Sequence, residues 1–519
     1  MEELKTGRSR AWHLFGRPGL ATWLGLLPLA VGLLSWKTLL TADADLATHV
    51  RLGQDLLADG LPTGVPLLGG EGAAWSAATQ LSAWAFEVIQ ALAYGAVGWA
   101  GPLLICALLL CAPFWLVAVR LRLGGIGFWG VLISVLAVLI LSAHHVVGRP
   151  HLLSWAILVP YTALWRSWAE ERHSDGRMAL IVLPCTLIWA NLHGGFLAGL
   201  VVAGLVVLGA GPSKWFRGGL LVAGCGFIAC VNPWGPALYQ GLFGFLSDRW
   251  LIEHTSDFRA VTLGDAMGLR TLVAVLFAGL GLALDRARRP VDLLLATAFS
   301  IFAFASVRNV PIAALVLVVP IAESWARVIS GWAAQGSRFA TEILASSKRT
   351  APGHAFAGAL WIPTFALVAA LGMSGLGVPG WKLPSDKAPA NAWEFVEAAK
   401  DELVFTDFMY GGFVVFWRGA AFIHPLNLLY PRDRGEDYVT VNQAEPGWRE
   451  VLARHEIRWL LVRPDSAIAE QLRSEPFCSL RYEDALAVVA HCQAMRELTQ
   501  LEGVFDHTGA MGTAEEPGA

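Results

Sequence analysis

The sequence predicts an α-helical polytopic membrane protein of about eleven transmembrane helices, followed by a small C-terminal α/β domain. Three observations predict this fold class. Hydrophobic residues make up 55% of the 519 residues, charged residues only 15%, and the mean hydropathy is +0.53, well above the range of soluble domains. Apolar runs close to the roughly 20 residues that a bilayer requires recur as far as residue 376. Beyond that point charged residues return and the apolar runs shorten.

Apolar runs of helical length place the expected spans. Their approximate limits are 19–41, 101–119, 124–143, 151–167, 178–193, 195–212, 217–232, 269–285, 290–306, 309–325 and 354–376. A further apolar stretch, 75–97, is interrupted by Gln80, Glu87 and Gln90, and we interpret it as an interfacial or partly buried helix. Counting it as a span would break the charge pattern that follows. The first run is interpreted as a retained anchor, because it is too long for the apolar core of a signal peptide.

The positive charges give the orientation, because lysine and arginine accumulate in short cytoplasmic loops. With eleven spans they fall on one side: Lys5, Arg8, Arg10, Arg17, Arg120, Arg122, Arg166, Arg172, Arg177, Lys214, Arg217, Arg286, Arg288, Arg289, Arg327, Arg338, Lys348 and Arg349. The amino terminus is therefore expected in the cytoplasm and the C-terminal domain outside it. We expect a transmembrane domain over 1–376, with a first external loop of about 42–100, and a soluble domain over 385–505.

Other polar residues collect at the opposite, external ends of the helices. They are Asp43, Asp45, His144, His145, Arg149, His151, Asn191, His193, Asn232, Glu253, His254, Asp257, Arg259, Arg308 and Asn309. A charge at the centre of a bilayer costs about 2.5 to 3.5 kcal/mol on insertion scales, so helix ends are the expected place for such residues. That cost does not explain why histidine and asparagine concentrate on one side. We interpret the asymmetry as a functional site on the external surface.

Six segments carry a family resemblance. The first loop begins DADLATHVRLG at residue 43, and further segments are GRPHLLSWAIL from 148, WANLHGGFLAGL from 189, NPWGPALY from 232, SVRNVPIAALVLVVP from 306 and VFTDFMYGGFVVFW from 404. In order and placement they resemble bacterial polytopic glycosyltransferases of the GT-C superfamily, in particular a group whose first external loop starts DPDLWWHL..G. The resemblance covers most of the chain.

The resemblance implies a GT-C-like helical bundle in the bacterial inner membrane. It also implies transfer of a sugar from a polyprenyl-phosphate donor to an envelope acceptor on the extracytoplasmic side. In such enzymes an aspartate of the first loop acts as the base, which here is Asp45 or Asp43. The chemistry agrees, because an acceptor hydroxyl that attacks an anomeric carbon must lose its proton. The anionic phosphate needs cationic partners. The remaining candidate substrate-binding residues are His49, Arg51, Arg149, His151, Asn191, His193 and Arg308.

Each assignment has a structural alternative. The two aspartates would equally end a helix in water, the histidines would serve as interfacial or core residues, and Arg308 would reach the interface from a helix end. Asn191 and His193 precede Gly194 and mark a tight turn. The chain has no HExxH motif and no HxxxH-type helical spacing among these histidines, so no metal site or cofactor is predicted, although a divalent metal stays open.

The C-terminal segment reads as a small α/β domain. We expect a helix near 391–400, strands at LVFTDF and in GGFVVFW, a helix near 446–455, a strand at 457–462, a helix near 465–473 and a strand at ALAVVAH. Cys478 and Cys492 either form a disulfide or stay free thiols. The tail 506–519 is expected to be disordered.

Departures from the family pattern keep other functions open. Ala47 and Thr48 replace an aromatic pair, VPLL from 65 replaces a DPFS element, and FIHPLNLLYPRD, with His424 and Asn427, stands where relatives carry Asp-Gly-Arg. The alternatives are a transporter, or a non-catalytic envelope assembly or scaffold protein whose C-terminal domain binds an envelope protein. Nucleic-acid binding is not indicated, because the chain has no basic stripe and no recognised motif.

Overall fold

The computed structural model describes residues 13–35, 39, 44–61, 81–247, 249–350, 354–375, 388–399, 402–418, 421–424 and 432–493. The chain forms two compact units. The helical unit contains the described residues within 13–39, 52–61 and 81–375, and the C-terminal unit contains 44–51 and 388–493. Asp43, Asn427, the VPLL segment and the tail 506–519 lie outside the described residues.

The described residues up to 375 contain sixteen α-helices, which together cover about half of the 519 residues. They are α1 (Leu20–Leu34), α2 (Asp45–Asp59), α3 (Trp84–Val97), α4 (Ala100–Leu123), α5 (Phe128–Ser142), α6 (His151–Ala169), α7 (Asp175–Leu192), α8 (Phe196–Gly209), α9 (Pro212–Ile228), α10 (Ala237–Ser247), α11 (Arg249–His254), α12 (Ala266–Leu284), α13 (Pro290–Ala305), α14 (Asn309–Ala334), α15 (Arg338–Thr350) and α16 (Trp361–Gly375). Each of the eleven expected spans overlaps one of these helices.

Length and composition distinguish four of the described helices. Ala100–Leu123, Phe128–His145, Ala266–Leu284 and Asn309–Ala334 are long and apolar enough to cross a membrane. Among the described helices, α1, α3, α8 and α13 are apolar but shorter. A multi-pass helical membrane protein agrees with these helices, and the count of eleven spans stays a prediction.

Part of the stretch interpreted as an interfacial helix forms α3, and Glu87 and Gln90 of that part are buried, whereas Gln80 lies outside the described residues. Glu87 and Gln90 are fully enclosed in the helical unit, and Gln90 Nε2 lies 3.6 Å from Cys106 Sγ. Gly53 lies against the backbone carbonyl of Glu87, where a Cβ atom would collide with the oxygen. A side chain at position 53 is therefore excluded by close helix packing.

A buried charge network ties four helices together at the end of the helical unit that carries the predicted cytoplasmic arginines. Arg166 donates to Asp292 at 2.8 Å and to Glu323 at 2.9 Å, and Arg120 donates to Glu323 at 3.1 Å. The side chains of Arg166 and Asp292 are only 3% and 0% exposed. Arg289 extends the network through an ion pair with Glu170. These ion pairs therefore link α4, α6, α13 and α14, so the arginines have a structural role in addition to carrying positive charge.

The C-terminal unit is a four-stranded sheet with short helices. The strands are β1 (Val404–Thr406), β2 (Trp459–Val462), β3 (Cys478–Glu483) and β4 (Val488–Cys492), in the order β1-β2-β4-β3. The pair β1–β2 is parallel, and the pairs β2–β4 and β3–β4 are antiparallel. The helices are α17 (Trp393–Glu397), α18 (Phe408–Arg418), α19 (Arg432–Asn442), α20 (Trp448–Arg454) and α21 (Ala467–Ser474). The sequence did not predict α19 or β3.

One expected strand is wrong. The segment GGFVVFW lies within α18, which begins directly after β1. Asp407 Oδ1 accepts a hydrogen bond from the backbone N–H of Met409 at 2.9 Å and so satisfies a donor at the helix start. Tyr410, Phe413 and Val414 are buried at helical spacing. The run of valine and aromatic residues favours a strand locally, and this capping and tertiary packing override it.

Cys478 and Cys492, whose pairing the sequence left open, form a disulfide. The two residues lie opposite each other on β3 and β4. The remaining cysteines are free thiols: Cys106, Cys111, Cys185, Cys225 and Cys230. A disulfide is typical of an oxidising compartment.

The disulfide predicts a thiol count. In the denatured, unreduced protein five of the seven cysteines should react with maleimide, and all seven should react after reduction. Cys478→Ser should lower the free energy of unfolding by about 3 kcal/mol, the value for a closed loop of this size. Intact mass after labelling measures the count. Seven reactive thiols before reduction in protein from its native membrane would contradict the pairing.

Candidate functional site

The first group of predicted site residues lies in the helical unit, where α5 ends and α6 begins. His145 and His151 are buried, with ring centroids 4.5 Å apart. His151 Nε2 lies 3.1 Å from the backbone carbonyl of His145. Arg149 stands between them in the sequence and donates from Nη1 to Asp257 Oδ2 at 3.3 Å. Arg149 and His145 therefore approach the same Asp257 carboxylate, with His145 Nδ1 3.8 Å from Oδ2, and His151 packs against His145.

Asp257 also joins this group to the connection between α13 and α14. Its backbone carbonyl accepts hydrogen bonds from the Arg308 backbone N–H at 3.1 Å and from Ser306 Oγ at 2.9 Å. The Arg308 guanidinium lies over the ring of Phe258, 5.1 Å from the centroid. Arg149 and Arg308, two of the three arginines among the candidate substrate-binding residues, thus lie against the turn Ser256–Phe258. We call this turn, with Arg149, His145, His151 and Arg308, the arginine–histidine cluster.

His193 is held in one orientation by a short chain of hydrogen bonds. Trp189 Nε1 donates to Ser154 Oγ at 2.7 Å, and Ser154 Oγ lies 2.7 Å from His193 Nδ1. The Gly195 backbone N–H also donates to Nδ1, at 3.0 Å. Because Nδ1 accepts from the backbone, the neutral ring carries its proton on Nε2. Gly195 leaves no room for a side chain, since a Cβ atom would lie 2.7 Å from Nδ1.

The side chain of Asn191 is held by hydrogen bonds within the helical unit. Its Nδ2 donates to the carbonyls of Leu187 at 2.9 Å and Val231 at 3.0 Å, and its Oδ1 accepts from Trp84 Nε1 at 2.9 Å. The side chain therefore links α3, α7 and the segment after α9. These bonds agree with the turn-marking alternative for Asn191.

The second group lies in the C-terminal unit at the start of α2. Asp45 is the first residue of this helix and is 4% exposed. His49, one turn later, is also buried, and Arg51 is half-buried. Ala44, directly before Asp45, has a φ of 55°, a left-handed conformation that costs a non-glycine residue about 1 to 2 kcal/mol. Such strain persists only where packing imposes it.

The double glycine of VFTDFMYGGFVVFW supplies that packing. A Cβ atom at Gly412 would collide with the Ala44 carbonyl and lie 2.7 Å from Thr48 Oγ1. A Cβ atom at Gly411 would lie 2.6 Å from the Cα of His424. The two glycines are thus enclosed on both sides, and the start of the first-loop helix rests on Gly412. This contact gives a physical reason for glycine at both positions.

Substitution of Gly412 tests this contact. Gly412→Ala should displace the start of α2, abolish any activity that depends on Asp45 and lower the melting temperature. The matched control is Gly204→Ala, since a Cβ atom there meets no atom within 4 Å and alanine stabilises a helix interior by roughly 0.5 to 1 kcal/mol. Thermal unfolding of the purified full-length protein measures both. Equal melting temperatures for Gly412→Ala and the parent would contradict the contact.

Three contributing residues were not assigned a role from the sequence. Asp257 appeared only as one external polar residue, and Ser154 escaped notice although it follows His151 by one helical turn in GRPHLLSWAIL. Asp407 lies buried where β1 ends and accepts from Arg463 Nε at 2.9 Å, directly after β2. The sequence feature that could have identified this pair is the position of two opposite charges, each directly after one of two parallel strands.

His424 marks the clearest departure from the family pattern. It is fully buried, and this burial, together with the nearby Arg434, lowers the pKa of the imidazole to about 3. The ring is therefore neutral near pH 7 and supplies neither the carboxylate nor the cation of an Asp-Gly-Arg element. Within the part of the chain that the structure describes, no group of three or more His, Cys, Asp or Glu side chains is arranged to hold a metal ion.

Comparison with known proteins gives two similar solved structures. The first is the single-particle cryo-EM structure of the arabinofuranosyltransferase AftD from Mycobacteria, with 16% identity, a TM-score of 0.47 and coverage of 92% of this chain. This chain spans 40% of the length of that protein. The second is the crystal structure of ArnT from Cupriavidus metallidurans in the apo state, with 14% identity, a TM-score of 0.45 and coverage of 90% of this chain and 98% of that one.

No family model matches the chain, and no curated protein sequence matches it. At these identities and TM-scores, the two structural similarities identify neither a substrate nor a site residue of this chain.

Proposed function

We propose that the protein is a membrane glycosyltransferase that moves a sugar from a polyprenyl-phosphate donor to an envelope acceptor, on the extracytoplasmic side of a bacterial inner membrane. The contact between Ala44 and Gly412 carries the proposal. Two segments of the family resemblance, far apart in the sequence, meet there and fix the carboxylate-bearing start of α2. A rigid first-loop carboxylate is what a positioned base requires.

The reaction gives the first-loop carboxylate a defined step. The acceptor oxygen forms a bond to the anomeric carbon and its proton passes to Asp45, with Asp43 as the alternative base. The bond between the anomeric carbon and the phosphate oxygen breaks, and its electron pair leaves on the polyprenyl phosphate. General base catalysis of this kind contributes about 100- to 10,000-fold in rate.

The leaving phosphate gives the arginine–histidine cluster its proposed role. Arg149 and Arg308 offer planar donors that suit a phosphate, and both are oriented by the Ser256–Phe258 turn. The disulfide supports an extracytoplasmic C-terminal unit.

A transfer assay tests the proposal. Purified full-length protein in liposomes is given radiolabelled polyprenyl-phosphate pentose or hexose donors and an envelope glycolipid extract as acceptor, with and without EDTA. We expect label to leave the donor only in the presence of acceptor, and EDTA shows whether a divalent metal contributes. Donors left unconsumed, together with solute flux into the liposomes, would favour a transporter instead.

Arg308 provides a prediction for the phosphate contact. Arg308→Gln should lower kcat/KM for transfer about 10- to 100-fold, since a hydrogen bond to a charged group contributes about 1.5 to 3 kcal/mol, and Arg308→Lys should recover part of the loss. The matched control is Arg259→Gln, whose side chain is 59% exposed and pairs with Asp265. Equal losses in the two glutamine variants would argue against a specific phosphate contact at Arg308.

A further inference from the structure

A groove runs between α12 and α13 of the helical unit, away from the residues assigned to transfer. Its volume is about 280 Å³. It is lined by small and apolar side chains on the facing sides of the two helices, among them Ala278, Gly279, Leu282, Leu293, Ala296 and Thr297. Leu280, Leu284 and Leu294 beside it are exposed. Because α12 is long and apolar enough to cross a membrane, this surface faces lipid in the embedded protein.

Arg288 lies at the mouth of the groove, in the turn between the two helices. Its Nη1 donates to the backbone carbonyl of Asp285 at 3.3 Å, and among the described residues it forms no ion pair with a carboxylate. Its neighbours differ, since Arg289 pairs with Glu170 and Arg327 pairs with Asp285. The groove therefore combines an apolar interior with one positive charge that no carboxylate of the described residues pairs with.

We propose that this groove binds one acyl chain of an anionic phospholipid, with the lipid phosphate on the Arg288 guanidinium. Lipid tails have no hydrophobic reason to prefer protein to bilayer, so the specificity comes from the charged headgroup. An arginine at the end of helices that cross a membrane is suited to such a headgroup. From Pro290, the first residue of α13, to Thr297 the helix rises about 10 Å at 1.5 Å per residue, which is deep enough to seat the upper part of a tail.

The bound lipid has a defined consequence. The turn that holds Arg288 lies between α12 and α13, and α13 carries Asp292 of the buried charge network. A ligand that binds only the folded protein stabilises it by an amount that increases with the logarithm of its concentration above Kd. The lipid should therefore raise the melting temperature of the full-length protein, whether or not the protein transfers sugar.

The test uses full-length protein in detergent, titrated with phosphatidylglycerol or phosphatidylcholine and followed by native mass spectrometry and thermal unfolding. We expect at least a tenfold preference for phosphatidylglycerol in the parent, lost in Arg288→Gln. Gly279→Leu fills the groove from a position where a Cβ atom meets no atom within 4 Å, and it should lose the lipid with the charge intact. Arg286→Gln, an exposed charge of the same turn that does not line the groove, should bind as the parent does.

Three results would overturn the proposal. They are equal retention of the two lipids by the parent, unchanged binding in Arg288→Gln, and unchanged binding in Gly279→Leu. Inorganic phosphate is titrated as a separate arm, and stabilisation by phosphate equal to that by phosphatidylglycerol would indicate a free-anion site without an acyl chain. Size-exclusion profiles and the thiol count verify that each variant is folded.

Discussion

Asp45→Asn is expected to lower the rate of sugar transfer about 100- to 10,000-fold, because the amide cannot accept the proton of the acceptor hydroxyl. Asparagine has nearly the same shape as aspartate, so the buried start of α2 should keep its packing against Gly412. The melting temperature and the thiol count should therefore stay close to those of the parent. Removal of a base that acts in the chemical step lowers kcat, and so kcat and KM are measured separately.

Two controls separate the base from its surroundings. Asp59→Asn alters an exposed carboxylate at the end of the same helix and should leave kcat unchanged. Asp43→Asn distinguishes the two candidate bases, since only one of the two variants should lose most of the activity. Full turnover in both Asp43→Asn and Asp45→Asn would exclude either residue as the base, and the transfer mechanism would need another carboxylate.

Arg166→Met is expected to cause the largest loss of stability, about 3 to 5 kcal/mol. The guanidinium is buried and donates to Asp292 and Glu323, so its removal leaves Asp292 as an enclosed carboxylate without its cation. Breaking a buried pair from one side costs much more than replacing both partners by apolar groups. The double variant Arg166→Met with Asp292→Leu should therefore recover a substantial part of the loss, with Glu323 still held by Arg120.

The matched control is Arg172→Met, which removes an arginine at the same end of the unit. Arg172 pairs with Glu170, but its side chain is 63% exposed, and an exposed pair contributes about 0 to 1 kcal/mol. Thermal unfolding in detergent compares the three variants. If Arg166→Met and Arg172→Met lowered the stability by the same amount, the ion pairs of Arg166 would contribute no more than an exposed pair.

The helices were predictable because their determinants are local. Apolar runs bounded by charges locate the eleven expected helices, closely at α6, whereas α14 continues to Ala334, nine residues beyond the predicted limit of 325, and α10, α11 and α15 were not predicted. The ion pairs among them were not predictable, since Arg166, Asp292 and Glu323 lie on different helices and no single run reveals their pairing. The same applies to α18, where the cap from Asp407 and packing outweigh the strand preference of its valines.

The sequence indicated which residues are candidates for the site, but not which of them lie close together. The sequence selected Arg149, His151 and Arg308 through their position at helix ends. The structure places Arg149 and Arg308 against the Ser256–Phe258 turn and His151 against His145. The chain of hydrogen bonds that holds His193 includes Ser154 and Trp189. No sequence motif marks these two residues as polar partners. The role of Gly412 depends on a contact with Ala44 from a distant part of the chain, which only a folded structure reveals.

The closeness of Ala44 and Gly412 also bears on how homologous chains diverge. The atom closest to a Cβ at position 412 is the backbone carbonyl oxygen of Ala44, and every residue at position 44 carries that oxygen. In an alignment of homologues we therefore expect glycine at position 412 whatever side chain stands at position 44. Sequence variation in the first loop should then fall at positions away from this junction.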